Sequence, residues 1–271
     1  MKRTFKILFI ALVLLFLYAP ILILAFYSFT DASQIGTFKS FSLANYMTLV
    51  TTEELREMIV GTLVLAVASA LLSTVFGTLG AIGAFYSKKS VNSLYSTVNQ
   101  IPVINADVVT GFSICILLVV VLGVSKESYI PLLVGHTVLS APFVYLSVVP
   151  KLKQMDSSLY EAALDLGATP RIALFKVVIP QIFSGIVSGF MLAITLSLDD
   201  YFIATYTKPA TFDTISTYVV NATKGSHTEI KTALWALSTA IFVIVLLVVL
   251  IMNARAGKKT NNAIAKEGKL A

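Results

Sequence analysis

Six apolar stretches, near 7–29, 58–86, 102–124, 129–149, 181–205 and 232–253, divide the chain. A helix of roughly 20 apolar residues crosses about 30 Å of hydrocarbon, so each stretch is long enough to span a bilayer. The second has length to spare, which tilt or projection beyond the lipid absorbs. One long polar interruption, 155–180 (MDSSLYEAALDLGATPRIALFKVVIP), carries helical patterning of its own. Met155, Leu159, Ala162 and Leu166 share a face, while Asp156, Glu161 and Asp165 point largely elsewhere. Ser158 and Glu161 fit a capping box at a helix start, and Gly167 fits the left-handed residue that closes such a helix. Thr169 followed by Pro170 reads as an N-cap and first helical residue. The pattern predicts an all-α integral membrane protein with six transmembrane helices, interrupted by a helix-turn-helix. Its turn exposes Ala162, Ala163, Gly167 and Ala168, small residues that another protein's backbone can approach.

Composition supports the membrane assignment, since 57% of the 271 residues are hydrophobic and only 13% are charged, with a mean hydropathy of +0.87. A soluble domain needs far more polar surface. Cys115 is the single cysteine, which excludes an intrachain disulfide and a cysteine-based metal site. The net charge of +6 raises nucleic acid as a partner, but its placement points instead to orientation in a membrane. With a cytoplasmic N-terminus, inside segments hold fourteen of the 20 Lys and Arg residues and outside segments six, as the positive-inside rule requires. Both termini and the 155–180 loop then lie in the cytoplasm. The first stretch is too long for a signal peptide's apolar region and reads as a retained anchor, kinked at Pro20. Residues 1–253 form the expected transmembrane domain. Residues 254–271 are a basic cytoplasmic tail, expected to be disordered and to lie near anionic lipid.

Candidate chemistry is confined to a few polar residues in apolar surroundings. Gly77, Gly80 and Gly83 predict close helix packing. Asp107 sits in the third stretch, just after Pro102. It either faces a polar cavity or partner, or caps a broken helix near the cytoplasmic interface. Asp199 and Asp200 stand at the outer end of the fifth stretch among Tyr201, Phe202 and Tyr206. Carboxylates beside aromatic faces suit a multiply charged amine through ion pairing and cation–π attraction. The alternative is an interfacial acid pair within an aromatic belt. Neighbours on a helix diverge by about 100°, so one aspartate lines a cavity while the other caps or pairs. Residues 30–57, with Asp31, Phe38, Phe41 and Tyr46, read as an outside loop with interfacial aromatics. Ser113 and His136 permit an intramembrane serine protease dyad, though packing explains both residues as well. The chain has no G-x-x-x-x-G-K-[ST], H-E-x-x-H or G-x-S-x-G, so it shows no nucleotide-binding or hydrolytic motif.

Glu161-Ala162-Ala163, Gly167 after three further residues, and Ile179-Pro180 beyond resemble the EAA loop of permease subunits of binding-protein-dependent ABC importers. His136 to Pro142 (HTVLSAP), Asp165 to Ala168, and Leu196 to Asp200 (LSLDD) are similar to the PotC-type permeases of the spermidine/putrescine branch. The resemblance implies a type I ABC importer permease (MetI-like) fold in which the loop is a cytoplasmic coupling helix. It implies that Glu161, Ala162, Ala163, Gly167, Ala168 and Pro180 couple to an ATPase, and that polyamines are carried by alternating access. Asp107, Asp199, Asp200, Tyr201 and Tyr206 are then the candidate substrate path. The implied partners are a second permease chain (PotB-type), two copies of a cytoplasmic ATPase (PotA-type) that bind ATP and Mg, and an extracytoplasmic polyamine-binding protein (PotD-type). This chain would hold no cofactor and catalyse nothing, and would sit in a prokaryotic inner membrane. The same importer class with another small or cationic solute, the protease, and a non-transporting scaffold remain as alternatives.

Overall fold

The computed structural model describes residues 2–243, except 33–35, 39, 157 and 225–231, together with residue 246. The predicted tail and the end of the sixth stretch lie outside the described residues. So do Gly225 and His227. Among the described residues no strand forms beyond an isolated bridge between Thr30 and Phe41. The helices are α1 (Lys2–Ser28), α2 (Ala44–Thr51), α3 (Glu53–Phe85), α4 (Lys89–Ile104) and α5 (Asp107–Cys115). They continue as α6 (Ile130–Gln154), α7 (Ser158–Asp165), α8 (Pro170–Ala173), α9 (Ile179–Asp199), α10 (Phe202–Thr207) and α11 (Ile215–Lys224). The last is α12 (Thr232–Val243). π-Helical turns extend α5 over Ile116–Val121 and join α8 to α9 over Leu174–Val178.

Four segments are long and apolar enough to cross a membrane: Phe5–Ser28, Glu53–Tyr86, Ile130–Gln154 and Pro170–Asp199. The predicted third span, 102–124, is not one helix. Pro102 belongs to the last turn of α4, and α4 and α5 meet at 103° across Asn105 and Ala106, so the pair makes a fifth crossing only if taken as one broken span. The predicted fifth span, 181–205, breaks at Asp200 and Tyr201. Thr232–Val243 is the described, shorter part of the sixth.

The chain divides into two compact units, Met1–Arg56 with Asn221–Ala271, and Glu57–Val220. In the first, α1 stays helical through Pro20. Its Tyr27 and Tyr18 rings meet Trp235 and Phe242 of α12 at 6.1 and 6.5 Å. The segment read as an outside loop contains α2, fastened by the Asn45 amide donating to Ser28 O and Thr30 O at 3.1 and 2.9 Å.

In the second unit α6 and α9 form the central pair, and small residues set their approach. Lipid tails are as apolar as side chains, so helices in a bilayer associate by close packing rather than by hydrophobic burial. A Cβ on Gly185 would meet Ser147 O at 2.9 Å, and one on Gly189 would meet Val144 Cγ1 at 3.0 Å. From the other side, a Cβ on Gly77 of α3 would meet Ala141 O and Val144 Cβ, both at 2.7 Å. Val144, fully buried, is thus wedged between two glycines on different helices. Gly80 leaves room for the Tyr95 ring of α4. Gly83 departs from the expected packing role, because a Cβ there meets nothing within 4 Å. Gly77→Val is expected to destabilise the detergent-solubilised protein by about 1–3 kcal/mol through overpacking. Gly83→Ala should leave its thermal unfolding midpoint unchanged or higher.

Candidate functional site

Both helix breaks lie in the second unit, and each is sealed by side chains from its own sequence. At the first, Asn105 and Ala106 are extended, with ψ of 148° and 133°. The Asn105 amide donates to Thr110 Oγ1 at 3.0 Å, tying the end of α4 to the first turns of α5. Asp107 is the first residue of α5, where a carboxylate interacts favourably with the positive end of the helix. It is exposed in this chain.

At the second break Asp200 turns extended, with ψ of 124°. Its carboxylate accepts the N–H of Ile203 at 3.2 Å and of Ala204 at 2.7 Å, satisfying donors that α10 leaves free. The Ser216 hydroxyl donates to Leu198 O at 2.9 Å, supplying a partner at the end of α9. Asp200 is buried and takes the capping place, while Asp199 beside it is exposed.

The breaks lie close together because α10 packs on α5 and α6. A Cβ on Gly111 of α5 would meet Ile203 Cα at 2.9 Å, and one on Gly135 of α6 would meet Ile203 Cγ2 at 2.7 Å. Ile203, three residues beyond Asp200, thus lies against Gly111, one turn beyond Asp107. A continuous third span would have put Asp107 near the cytoplasmic end, away from the outer-end pair. The break instead gathers all three carboxylates in one region. Tyr206 faces Phe112 of α5 with ring centroids 5.9 Å apart, and Tyr201 faces Phe202 at 5.2 Å. Among the described residues no Lys or Arg forms an ion pair with these acids.

His136 is fully buried on α6 and faces Asp200, with Nε2 3.5 Å from Asp200 Oδ2. Its Nδ1 is 2.7 Å from Ser197 Oγ, which also accepts the Ser69 hydroxyl of α3 at 3.2 Å. Ser113 is exposed and His136 bonds elsewhere, so the candidate dyad is not assembled. Sequence reasoning passed over Ser197, Ser69, Asn105 and Thr110. Ser197 could have been found, since it stands three residues before Asp200 and shares its helix face.

The 155–180 loop folds as two short helices. α7 begins at Ser158 itself, so a Ser158–Glu161 capping box does not form. Asp156 Oδ1 accepts the Ser158 N–H at 3.0 Å instead. That bond holds the exposed Asp156 carboxyl below its usual range. Its contribution to α7 is therefore complete above the usual carboxylate pKa and lost as pH falls through the lowered one. Gly167, at φ 85°, closes α7 with Gly167 N–H to Leu164 O at 2.9 Å and Ala168 N–H to Ala163 O at 3.0 Å, a Schellman motif. Thr169 Oγ1 accepts the Ile172 N–H at 3.4 Å and caps α8, as predicted. Glu161, Ala162, Gly167 and Pro180 are exposed, and Ala163 and Ala168 partly so. Leu166 is 89% exposed among the described residues. At the other side of α7, Tyr160 meets Tyr86 just beyond α3, with ring centroids 5.0 Å apart.

The family described as binding-protein-dependent transport system inner membrane component matches residues 73–261. The chain is 28% identical to the putrescine transport system permease protein PotI of Escherichia coli K12 over 246 residues, covering 89% of this chain and 86% of that one. It is 28% identical to the spermidine/putrescine transport system permease protein PotC of Haemophilus influenzae over 258 residues, covering 94% and 96%. A solved bacterial alginate ABC transporter, in complex with an alginate pentasaccharide-bound periplasmic protein, has a chain similar in fold, with TM-score 0.71, 18% identity and 94% coverage of both.

The geometry predicts a capping role for Asp200. Asp200→Ala should reduce the stability of the folded chain by about 1–2 kcal/mol, the cost of a lost helix cap. Asp200→Asn retains one oxygen acceptor and should lose less, as read from the yield and unfolding temperature of purified protein.

Proposed function

The chain belongs to the binding-protein-dependent transport system inner membrane component family. From that premise we propose that it is the permease subunit of an ABC importer that carries polyamines, spermidine and putrescine, across the cytoplasmic membrane by alternating access. The observation that carries the choice of solute is the gathering of Asp107, Asp199 and Asp200 at two adjacent helix breaks, flanked by Tyr201 and Tyr206, with no Lys or Arg paired to them among the described residues. A charge within a membrane is retained where it meets a cavity or a counter-charge, and a polyamine supplies several ammonium groups. Asp200 already holds the N–H groups of α10. Asp199 and Asp107, exposed at the breaks, are therefore the acids that meet substrate, with aromatic faces beside them for cation–π contact.

Residues 1–253 act as the transmembrane body, with 254–271 a cytoplasmic tail and both termini inside. A second permease chain of PotB type completes the path, two PotA-type ATPase subunits supply energy from ATP and Mg, and a PotD-type protein delivers substrate outside. The exposed surface of Glu161, Ala162, Ala163, Leu166, Gly167 and Ala168 is the part that docks on the ATPase, and Pro180 continues the loop into α9. The ATPase shifts the conformational equilibrium only by binding this surface more strongly in one state than in the other.

ATP-driven uptake of labelled spermidine into vesicles holding the assembled complex tests the proposal. Competition by putrescine and not by unrelated solutes is expected; uptake of another solute alone would overturn the choice of substrate. Asp199→Asn should raise KM for spermidine by about tenfold or more, the scale of a lost charge-assisted contact, with assembly unchanged. Gly167→Val forces a β-branched residue to φ 85° and should abolish substrate-stimulated ATP hydrolysis and uptake together in a complex that still forms.

A further inference from the structure

The segments 136–142 (HTVLSAP) and 196–200 (LSLDD) meet in the structure through His136, Ser197 and Asp200. The contact forms a polar chain through the middle of the second unit. Ser69 Oγ–H of α3 donates to Ser197 Oγ at 3.2 Å, and Ser197 Oγ lies 2.7 Å from His136 Nδ1. The Ser197 hydroxyl can donate to Nδ1, and the atom facing Nε2 is a carboxylate oxygen that only accepts, so the tautomer that suits both partners carries its proton on Nε2. That nitrogen points at Asp200 Oδ2 from 3.5 Å, and it is one of three buried side-chain polar atoms without a hydrogen-bond partner among the described residues. The separation exceeds a good N–H···O bond by about 0.5 Å. An orphaned donor and its natural acceptor therefore face each other across the α9–α10 break. Both oxygens of that acceptor already hold α10.

We infer that His136 is a positioning residue for transport, closing onto Asp200 in one state of the cycle and so setting the α9–α10 break that carries Asp199. A contact unmade in one conformation and made in another is what biases an equilibrium between the two. The chain joins α3, α6 and α9 to the break, so the closure also registers the position of the central helix pair. His136 never meets the substrate, because it is fully buried behind Asp200. The inference rests on the proposed function for the ATP-driven cycle, the place of Asp199 on the path and the identity of the solute.

Two readouts in the assembled complex test it. The first is KM and kcat for spermidine uptake. The second does not depend on the solute: the rate at which a charged maleimide labels Asp199→Cys in a Cys115→Ala background, with and without ATP. His136→Leu should raise KM about tenfold with a smaller effect on kcat, and should remove the difference in labelling between the two conditions. His136→Gln, whose amide can still donate toward Asp200, should restore most of both. Ser197→Ala, a mild change, should move both in the direction of His136→Leu and keeps the test decisive if the leucine variant fails to assemble. An unchanged labelling difference in Ser197→Ala and in whichever His136 variants assemble would overturn the inference, leaving His136 a packing residue. A wild-type complex that imports no polyamine would defeat the choice of solute, while the labelling comparison would still decide the role of His136.

Discussion

Inside a bilayer an open helix end has no water to turn to, so a helix can break there only where the protein itself supplies hydrogen-bond partners. One carboxylate, two hydroxyls and one amide act at the breaks here. Asp200 accepts two N–H groups of α10, Asn105 ties α4 to Thr110 of α5, and Ser216 donates to a carbonyl at the end of α9. Without these, the segments 102–124 and 181–205 would run as the continuous apolar helices their hydropathy suggests. The breaks then allow α5 and α10 to pack on each other through Gly111 and Ile203. That packing gathers three acids from distant parts of the sequence.

The same constraint separates two adjacent aspartates that composition treats alike. Asp200 accepts two backbone N–H groups, so its charge lies against the N-terminal end of α10. Asp199, one residue earlier, is the last of α9 and points away, with its charge unspent. An exposed acid at a helix C-terminus is unfavourable by itself, since the helix end already carries partial negative charge. Retaining one there suits a position that a cation visits.

Much of the fold was legible because hydropathy reports lipid contact directly. The long spans fall close to their predicted places, and Gly167 and Thr169-Pro170 carried turn and cap chemistry that depends only on neighbouring residues. What was not legible depended on partners far along the chain. Pro102 followed by Asp107 leaves a broken helix open as one reading, but no glycine marks the turn and nothing local gives the 103° angle. Placing Asp107 near the cytoplasmic interface followed from assuming a straight span. The misplaced capping box has a different origin. Asp156, two residues before Ser158, is an equally good acceptor, and spacing alone does not choose between them. His136 was legible as a polar residue in lipid, but its partners on α9 appear only when α6 and α9 pack.

The helical segment Pro170–Asp199 connects the two places where this chain's chemistry is concentrated. Its 30 residues span about 45 Å at 1.5 Å per residue, enough to cross the hydrocarbon. One end begins at the Thr169 cap, directly after the Schellman turn. The other ends at Asp199, directly before the Asp200 break. A displacement applied at the Gly167 turn therefore reaches the carboxylates through one covalent element, without a relay of side chains. Its fidelity depends on stiffness, and the weakest part is the π-helical stretch Leu174–Val178, where the regular i to i−4 pattern is interrupted. Beyond that stretch, Gly185 and Gly189 let α9 approach Ser147 and Val144 of α6, so the two helices are closely packed there. His136 lies on that same α6, facing the break. The pair thus brings the end of α9, the Asp200 break and the buried His136 imidazole to one location.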